Sequence, residues 1–224
     1  MNMLKKIDDF PATLEAAWRE HIAPRRRGMP TVVSLFAGCG GSSLGYSMAG
    51  FRESLAVEWQ DGAAATFRMN FPGIAIHQGD IAALSGAEAL RLAKTEPGRL
   101  DLLDGSPPCQ GFSTAGRREL SDGRNSLFQE YIRLLRAFRP RAFVMENVSG
   151  MARGIMALVF AEALRELKAS GYRVSCRLLD AQYFGVPQVR QRLIFIGVRD
   201  DLSIAPSHPG PQTRPVSVAQ ALGL

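Results

Sequence analysis

The stretch Thr31-Val32-Val33-Ser34-Leu35-Phe36-Ala37-Gly38-Cys39-Gly40-Gly41-Ser42-Ser43 decides the fold. Five of its first six residues are β-branched or apolar and none is charged, the composition of a strand buried on both faces. Gly38, Gly40 and Gly41 then turn the chain, and residues 42–49 begin a helix with Ser42 or Ser43 as its cap. A strand running through a glycine turn into a helix is the opening unit of a doubly wound α/β sheet. Glycines at such a turn let the backbone approach a ligand closely, next to the free amides of a helix N-terminus. A dinucleotide fingerprint would require glycine where this chain has Ser43. The turn therefore suits an adenosine-type cofactor without calling for a pyrophosphate.

The alternation continues downstream. Residues 54–58 read as a second strand ending in Glu58, and 61–70 as a helix opened by Asp61 and closed before Pro72. Residues 74–77 form a third strand, 87–94 a helix and 100–104 a fourth strand. A long polar loop over 106–123 follows, and loops of that length in compact domains usually carry function. Residues 126–138 are a helix, 142–146 a strand and 155–169 a helix ended by Gly171. The last strands, 172–179 and 192–198, are separated only by a loop and read as an antiparallel pair. The expected fold is α/β: a doubly wound, mostly parallel seven-stranded sheet with one antiparallel hairpin near its end. Ligands in such sheets sit outside the carboxyl ends of the strands. The glycine turn, Glu58, Asp80, the loop 107–109 and Glu146 all fall at such ends.

The margins read differently. Residues 1–30 form an appendage in which Leu14, Trp18 and Ile22 recur every fourth residue and predict a short amphipathic helix. A basic linker with Arg25, Arg26 and Arg27 follows it. Residues 201–224 form a proline-rich tail, which leaves 31–200 as the domain proper. Hydrophobic residues make up 46% of the chain, enough for one sizeable core. No apolar run approaches the ~20 residues of a membrane span, and the N-terminus lacks a secretory apolar region. Lys and Arg number 27 against 21 Asp and Glu, and the resulting +6 leans toward a polyanionic partner. Three cysteines without a CxxC pair argue against a disulfide framework and against a zinc site. The expectation is a cytoplasmic protein with no metal.

The most specific stretch is Asp104-Gly105-Ser106-Pro107-Pro108-Cys109-Gln110-Gly111-Phe112-Ser113. Cys109 lies past a strand end, after two rigid prolines and before a flexible glycine. A thiolate there is a soft nucleophile suited to an electron-poor ring carbon. Glu146, at the end of the apolar run Phe143-Val144-Met145, is a charge that needs a partner or a task. Arg190 and Arg192, two apart, share one face of an extended segment and can clamp a carbonyl oxygen or a phosphate. Asp80 can accept from an adenine amino group or cap a helix; the residue alone favours the cap.

Taken in order, FAGCGG at 36–41, PPCQGFS at 107–113, ENV at 146–148 and VRQR at 189–192 resemble the cytosine-C5 DNA methyltransferases. The resemblance covers about residues 31–200 and includes the run Tyr183-Phe184-Gly185-Val186-Pro187-Gln188. It implies S-adenosyl-L-methionine as methyl donor, lined by Phe36, Ala37, Gly38 and Gly40. Glu58 would bind its ribose hydroxyls, Trp59 would stack on its adenine, and Asp80 and Ile81 would meet the adenine edge. Leu127 would also contact the cofactor, and Asp104 and Pro107 would lie beside its methionine part. Cys109 would attack carbon 6 of a cytosine flipped out of double-stranded DNA. Glu146 would bind the base edge, Arg192 its carbonyl, and Arg190 would stand beside the active site.

Two departures qualify that resemblance. The family often carries Asp where this chain has Ser34, and the residues after Asp200 lead toward a target-recognition domain that the sequence does not contain. The expectation is a catalytic chain that works with a second polypeptide carrying target recognition and the closing helix. A tRNA cytosine-5 methyltransferase of the same fold and a catalytically inactive cofactor-binding relative are the competing readings. Gly111-Phe112-Ser113 looks more like the DNA enzymes, and the presence of Cys109, Glu146 and Arg192 speaks against inactivity.

Overall fold

The computed structural model describes residues 6–22, 28–108, 126–152 and 156–224. Its strands are β1 (Thr31–Leu35), β2 (Arg52–Glu58), β3 (Ala75–Gln78), β4 (Leu102–Gly105), β5 (Ala142–Val148), β6 (Tyr172–Asp180) and β7 (Gln191–Arg199). They form one seven-stranded sheet in the order β3-β2-β1-β4-β5-β7-β6. The five strands from β3 to β5 run parallel. Strand β7 runs antiparallel between β5 and β6, and β6 with β7 is the pair expected because only a loop separates them. The order reverses between β1 and β4, which makes the carboxyl end of that pair the natural ligand crevice.

The helices are α1 (Phe10–Ile22), α2 (Gly41–Met48), α3 (Asp61–Asn70), α4 (Gly86–Ala93), α5 (Ser126–Phe138), α6 (Met156–Ala169) and α7 (Val218–Leu222). Alternation along β1 assigns its two faces. Val33 and Leu35 enter the main apolar core with residues of α4, α5 and α6. Ser34 points the other way and meets Ser43 of α2. A second, smaller core joins Ala56 of β2 to Phe67 and Phe71 at the end of α3, with Leu44 of α2 against it.

Register places the strand ends level with one another. Leu35 pairs with Val57 on one side and with Gly105 on the other, and Gly105 pairs with Met145. Phe36, Glu58, Ser106 and Glu146 therefore each stand one residue past a common rung. Across the antiparallel boundary Val148 pairs with Arg192, which brings β7 to the same edge.

One local expectation is corrected, and the N-terminal helix and the tail gain detail. The N-cap of α2 is neither Ser42 nor Ser43 but Gly40, in the left-handed conformation at φ 95°. Ser43 is instead buried and hydrogen-bonded to Ser34, because the tight glycine turn carries it beneath the helix. In α1 the residue sealed from solvent is Phe10, while Leu14 and Trp18 remain 54% and 49% exposed. That helix contacts α2 and α7, and the side chain of Ile22 lies outside the described residues. The tail carries the short helix α7, started by a capping box between Ser217 and Gln220.

Candidate active site

The glycine turn is built for close approach. Phe36 has φ 57°, a left-handed conformation costly for a residue with a bulky side chain, and Gly38 follows at φ 56°. A Cβ on Gly38 would meet nothing within 4 Å, so the turn is open above it. A Cβ on Gly40 would lie 2.4 Å from Phe71 Cε2, so glycine there is demanded by packing as well as by φ.

Glu58 fixes the turn from the next strand. Its Oε2 accepts the Gly38 amide at 2.7 Å, and its Oε1 accepts the amides of Trp59 at 2.9 Å and Gln60 at 2.8 Å. A carboxylate offers about four acceptor sites, so acceptor capacity remains and a diol could use it. Beside it the Trp59 indole is 73% exposed, an open aromatic face. Asp80 caps the 3-10 turn Ile81–Ala83 by accepting the Ala82 amide at 2.9 Å. The Ile81 side chain goes into the core, so what this residue presents at the strand end is backbone. Arg133 of α5 holds that turn in place, donating to the carbonyls of Ile81 at 3.0 Å and Leu84 at 2.8 Å. Leu127, the second residue of α5, packs partly buried against the same core.

Asp104 lies almost fully buried near the end of β4 and accepts the Tyr46 hydroxyl at 2.9 Å. Burial pushes its carboxyl up to about 7, against the pull of the Tyr46 and Ser42 hydroxyls. The open turn, the immobilised Glu58 carboxylate, the exposed indole and the Asp80 cap together fit an adenosine-containing cofactor.

On the other side of the crevice Glu146 meets both arginines expected beside it. Its Oε1 lies 2.7 Å from Arg192 Nε and 3.8 Å from Arg190 Nη2. Its neighbour Asn147 is buried and donates from Nδ2 to the Pro107 carbonyl at 3.2 Å. That bond pins the chain two residues before Cys109 against the strand end that carries Glu146. Cys109 itself lies outside the described residues. Tyr46, Arg133 and Asn147 were not singled out as functional in the sequence. Only Asn147 had a visible signal, as the middle of the ENV triplet.

A model of the C-5 cytosine-specific DNA methylase family matches residues 30–220. The chain belongs to this family. Among its methylase relatives, the type II methyltransferase M1.HphI of Haemophilus parahaemolyticus is 41% identical over 184 residues. That match covers 80% of this chain and 49% of the relative. The type II methyltransferase M.AquIA of Picosynechococcus is 40% identical over 177 residues, covering 75% of this chain and 71% of M.AquIA. Among solved structures, a DNA modification methyltransferase encoded within an E. coli prophage superimposes with a TM-score of 0.74 at 33% identity. It covers 86% of this chain and 54% of that one. DNMT2 of Spodoptera frugiperda, 23% identical, shares the fold with a TM-score of 0.64 over 83% of this chain and 57% of its own. The methylase chain spans about half the length of M1.HphI and of the prophage enzyme. No described helix is long and apolar enough to cross a membrane.

Proposed function

We propose that this chain is the catalytic region of a DNA (cytosine-5)-methyltransferase of the type II class, acting on double-stranded DNA. The observation that carries the reading is the cluster of Glu146 with Arg190 and Arg192, beside the Asn147 anchor of the loop that leads to Cys109. In this reading Cys109 is the nucleophile, adding its thiolate to carbon 6 of a flipped cytosine. Glu146 shares a proton with the ring nitrogen and accepts a hydrogen bond from the exocyclic amine, so that negative charge does not accumulate on the ring. Arg192 orients Glu146 and faces the base carbonyl, and Arg190 adds positive charge to the same edge.

S-adenosyl-L-methionine, when bound, supplies an electrophilic methyl group. Phe36, Ala37, Gly38 and Gly40 would line it with backbone. Glu58 would take its ribose hydroxyls, and the exposed Trp59 would stack on its adenine. Asp80 and the Ile81 backbone would face the adenine edge. Asp104 and Pro107 would border the methionine end, and Leu127 would also contact the cofactor. Residues 31–200 form the catalytic domain in this reading, with 1–30 and 201–224 as appendages. Target recognition is assigned to a second polypeptide.

The test is transfer of a labelled methyl group from S-adenosylmethionine to mixed-sequence DNA, with tRNA as a parallel acceptor and Cys109→Ala as control. The expected result is transfer to DNA that disappears in Cys109→Ala, either by the chain alone or after co-expression with a target-recognition half. Transfer that survives in Cys109→Ala, or that goes to tRNA in preference, overturns the reading.

A further inference from the structure

Strand β2 carries a second buried carboxyl group that none of the steps above uses. Glu53 is 7% exposed, and its Oε2 accepts the Ser34 hydroxyl at 2.9 Å. Ser34 in turn accepts the Ser43 hydroxyl at 3.2 Å. Glu53 Oε1 is buried with no hydrogen-bond partner among the described residues.

A register shift explains how an acid comes to lie there. Val32 pairs with Glu53, but the next residue, Val33, pairs with Leu55, so Ser54 is an extra residue in β2. In an unbroken strand Glu53 would share a face with Leu55 and Val57, which line the main apolar core. The extra residue turns Glu53 to the opposite face, with Ser34 and α2. An irregularity that re-aims one charged side chain into a closed space beneath a ligand turn is a built feature rather than a packing accident.

The chain of bonds spans the turn from below. Ser34 lies just before the turn on β1, and Ser43 lies just after it in the first turn of α2. We propose that Glu53 is a positioning residue for the cofactor turn, clamping its two flanks together through Ser34 and Ser43. The proposal rests on the assignment of residues 36–40 to S-adenosylmethionine. Glu58 holds the top of the turn through Gly38, and Glu53 holds its foot.

The clamp works with Glu53 protonated. Burial pushes its carboxyl up to about 8, against the pull of the Ser43 and Ser34 hydroxyls, and Asp104 raises it further. The titratable groups facing it are Asp104 on β4 and Tyr46 on α2. Ionisation of Glu53 would place a charge beside Asp104 in a closed space, which loosens α2 from the sheet.

The experiment is calorimetric binding of S-adenosylhomocysteine to the full 224-residue chain between pH 6 and 9, with thermal melting measured alongside. Glu53→Gln, which imitates the protonated acid, is expected to bind within about threefold of wild type at pH 7. It should also lose the weakening of affinity centred near pH 8. A residual step near pH 7 belongs to Asp104 and disappears on adding Asp104→Asn. Glu53→Leu, of similar volume without an acceptor, is expected to weaken binding about tenfold or more while melting cooperatively. Ser43→Ala breaks the clamp at its helix end and is expected to weaken binding in the same direction, which keeps the test open should Glu53→Leu not fold. Melting shifts with unchanged affinity in Glu53→Leu and Ser43→Ala would make Glu53 merely structural and overturn this proposal alone. Wild-type chain that binds no S-adenosylhomocysteine would overturn the cofactor assignment, and the proposal with it.

Discussion

Arg192 Nε lies 2.7 Å from Glu146 Oε1, joining the end of β5 to the start of β7 across the antiparallel boundary. Both side chains are about one-quarter exposed, so the pair is neither solvated away nor sealed off. It is a charge-assisted hydrogen bond that orients a carboxyl group at the mouth of the crevice. Arg192→Ala should therefore lower methyl transfer by about 10²-fold while leaving S-adenosylhomocysteine affinity within a few-fold of wild type. Arg192→Lys, which keeps charge but loses the planar fork, should recover only part of the loss. The check is transfer to saturating DNA beside calorimetric cofactor binding. Equal losses in both would mean that the pair supports the fold rather than the chemistry.

Glu58→Ala removes the acceptor for three backbone amides at once. Hydrogen bonds to a charged group are worth ~1.5–3 kcal/mol each, so the turn loses its upper tether. Cofactor affinity should fall at least about tenfold, and Glu58→Gln, with one acceptor oxygen, should fall between the two. Calorimetric titration with S-adenosylhomocysteine reads both.

Gly40→Ala tests the packing demand on the turn. Its Cβ would meet the Phe71 ring at 2.4 Å, and the backbone is held at φ 95°. The combined clash and conformational strain should destabilise the chain by ~2–4 kcal/mol in urea unfolding. Gly38→Ala, also at positive φ but facing open space, should cost only the strain, ~1–2 kcal/mol. A reversed order would contradict the packing argument.

Stability should depend on pH in a direction unusual for carboxyl groups. Burial raises Glu53 to about 8 and Asp104 to about 7, above their unfolded values. The folded state therefore binds more protons than the unfolded state between those limits. Their contribution is full below the ordinary carboxylate range and is lost as pH rises through about 7 and then about 8. Urea midpoints should fall between pH 6 and 9, and the double variant Glu53→Gln with Asp104→Asn should remove most of that slope. An unchanged slope in the double variant would assign the effect to other groups.

Much of this was legible because the signals are local. Residues 61–70 and 126–138 match α3 and α5 residue for residue, since their openings and stops, such as Asp61 and Pro72, lie in or next to the segments. The level strand ends follow from short parallel strands, with Glu58 and Gly105 closing β2 and β4. Glu146 and the arginines were readable because a charge at the end of an apolar run calls for a partner. Glu53 was not readable. Its direction depends on one extra residue in the pairing of β2 with β1, and pairing register is a property of two strands rather than of one. Ser43 differs for a related reason: a serine at a helix start suggests a cap, but the left-handed Gly40 takes the cap two or three positions earlier. Arg133 gave no signal, because its partners are backbone carbonyls about fifty residues earlier in the chain.

The shared rung beneath Phe36, Glu58, Ser106 and Glu146 also acts as a ruler for what the gene can tolerate. One residue inserted near the top of β1, β4 or β5 would slide a single group by ~3.3 Å and reverse its face, leaving the others in place. The glycine-turn side and the Glu146 side of the crevice would then no longer meet. The extra Ser54 escapes this rule because it sits low in β2, and the pairing recovers from Leu55 to Glu58 above it. Length variation in this scaffold is therefore expected in the loops beyond the rung and near the feet of the strands, while the last few residues of each strand keep their count.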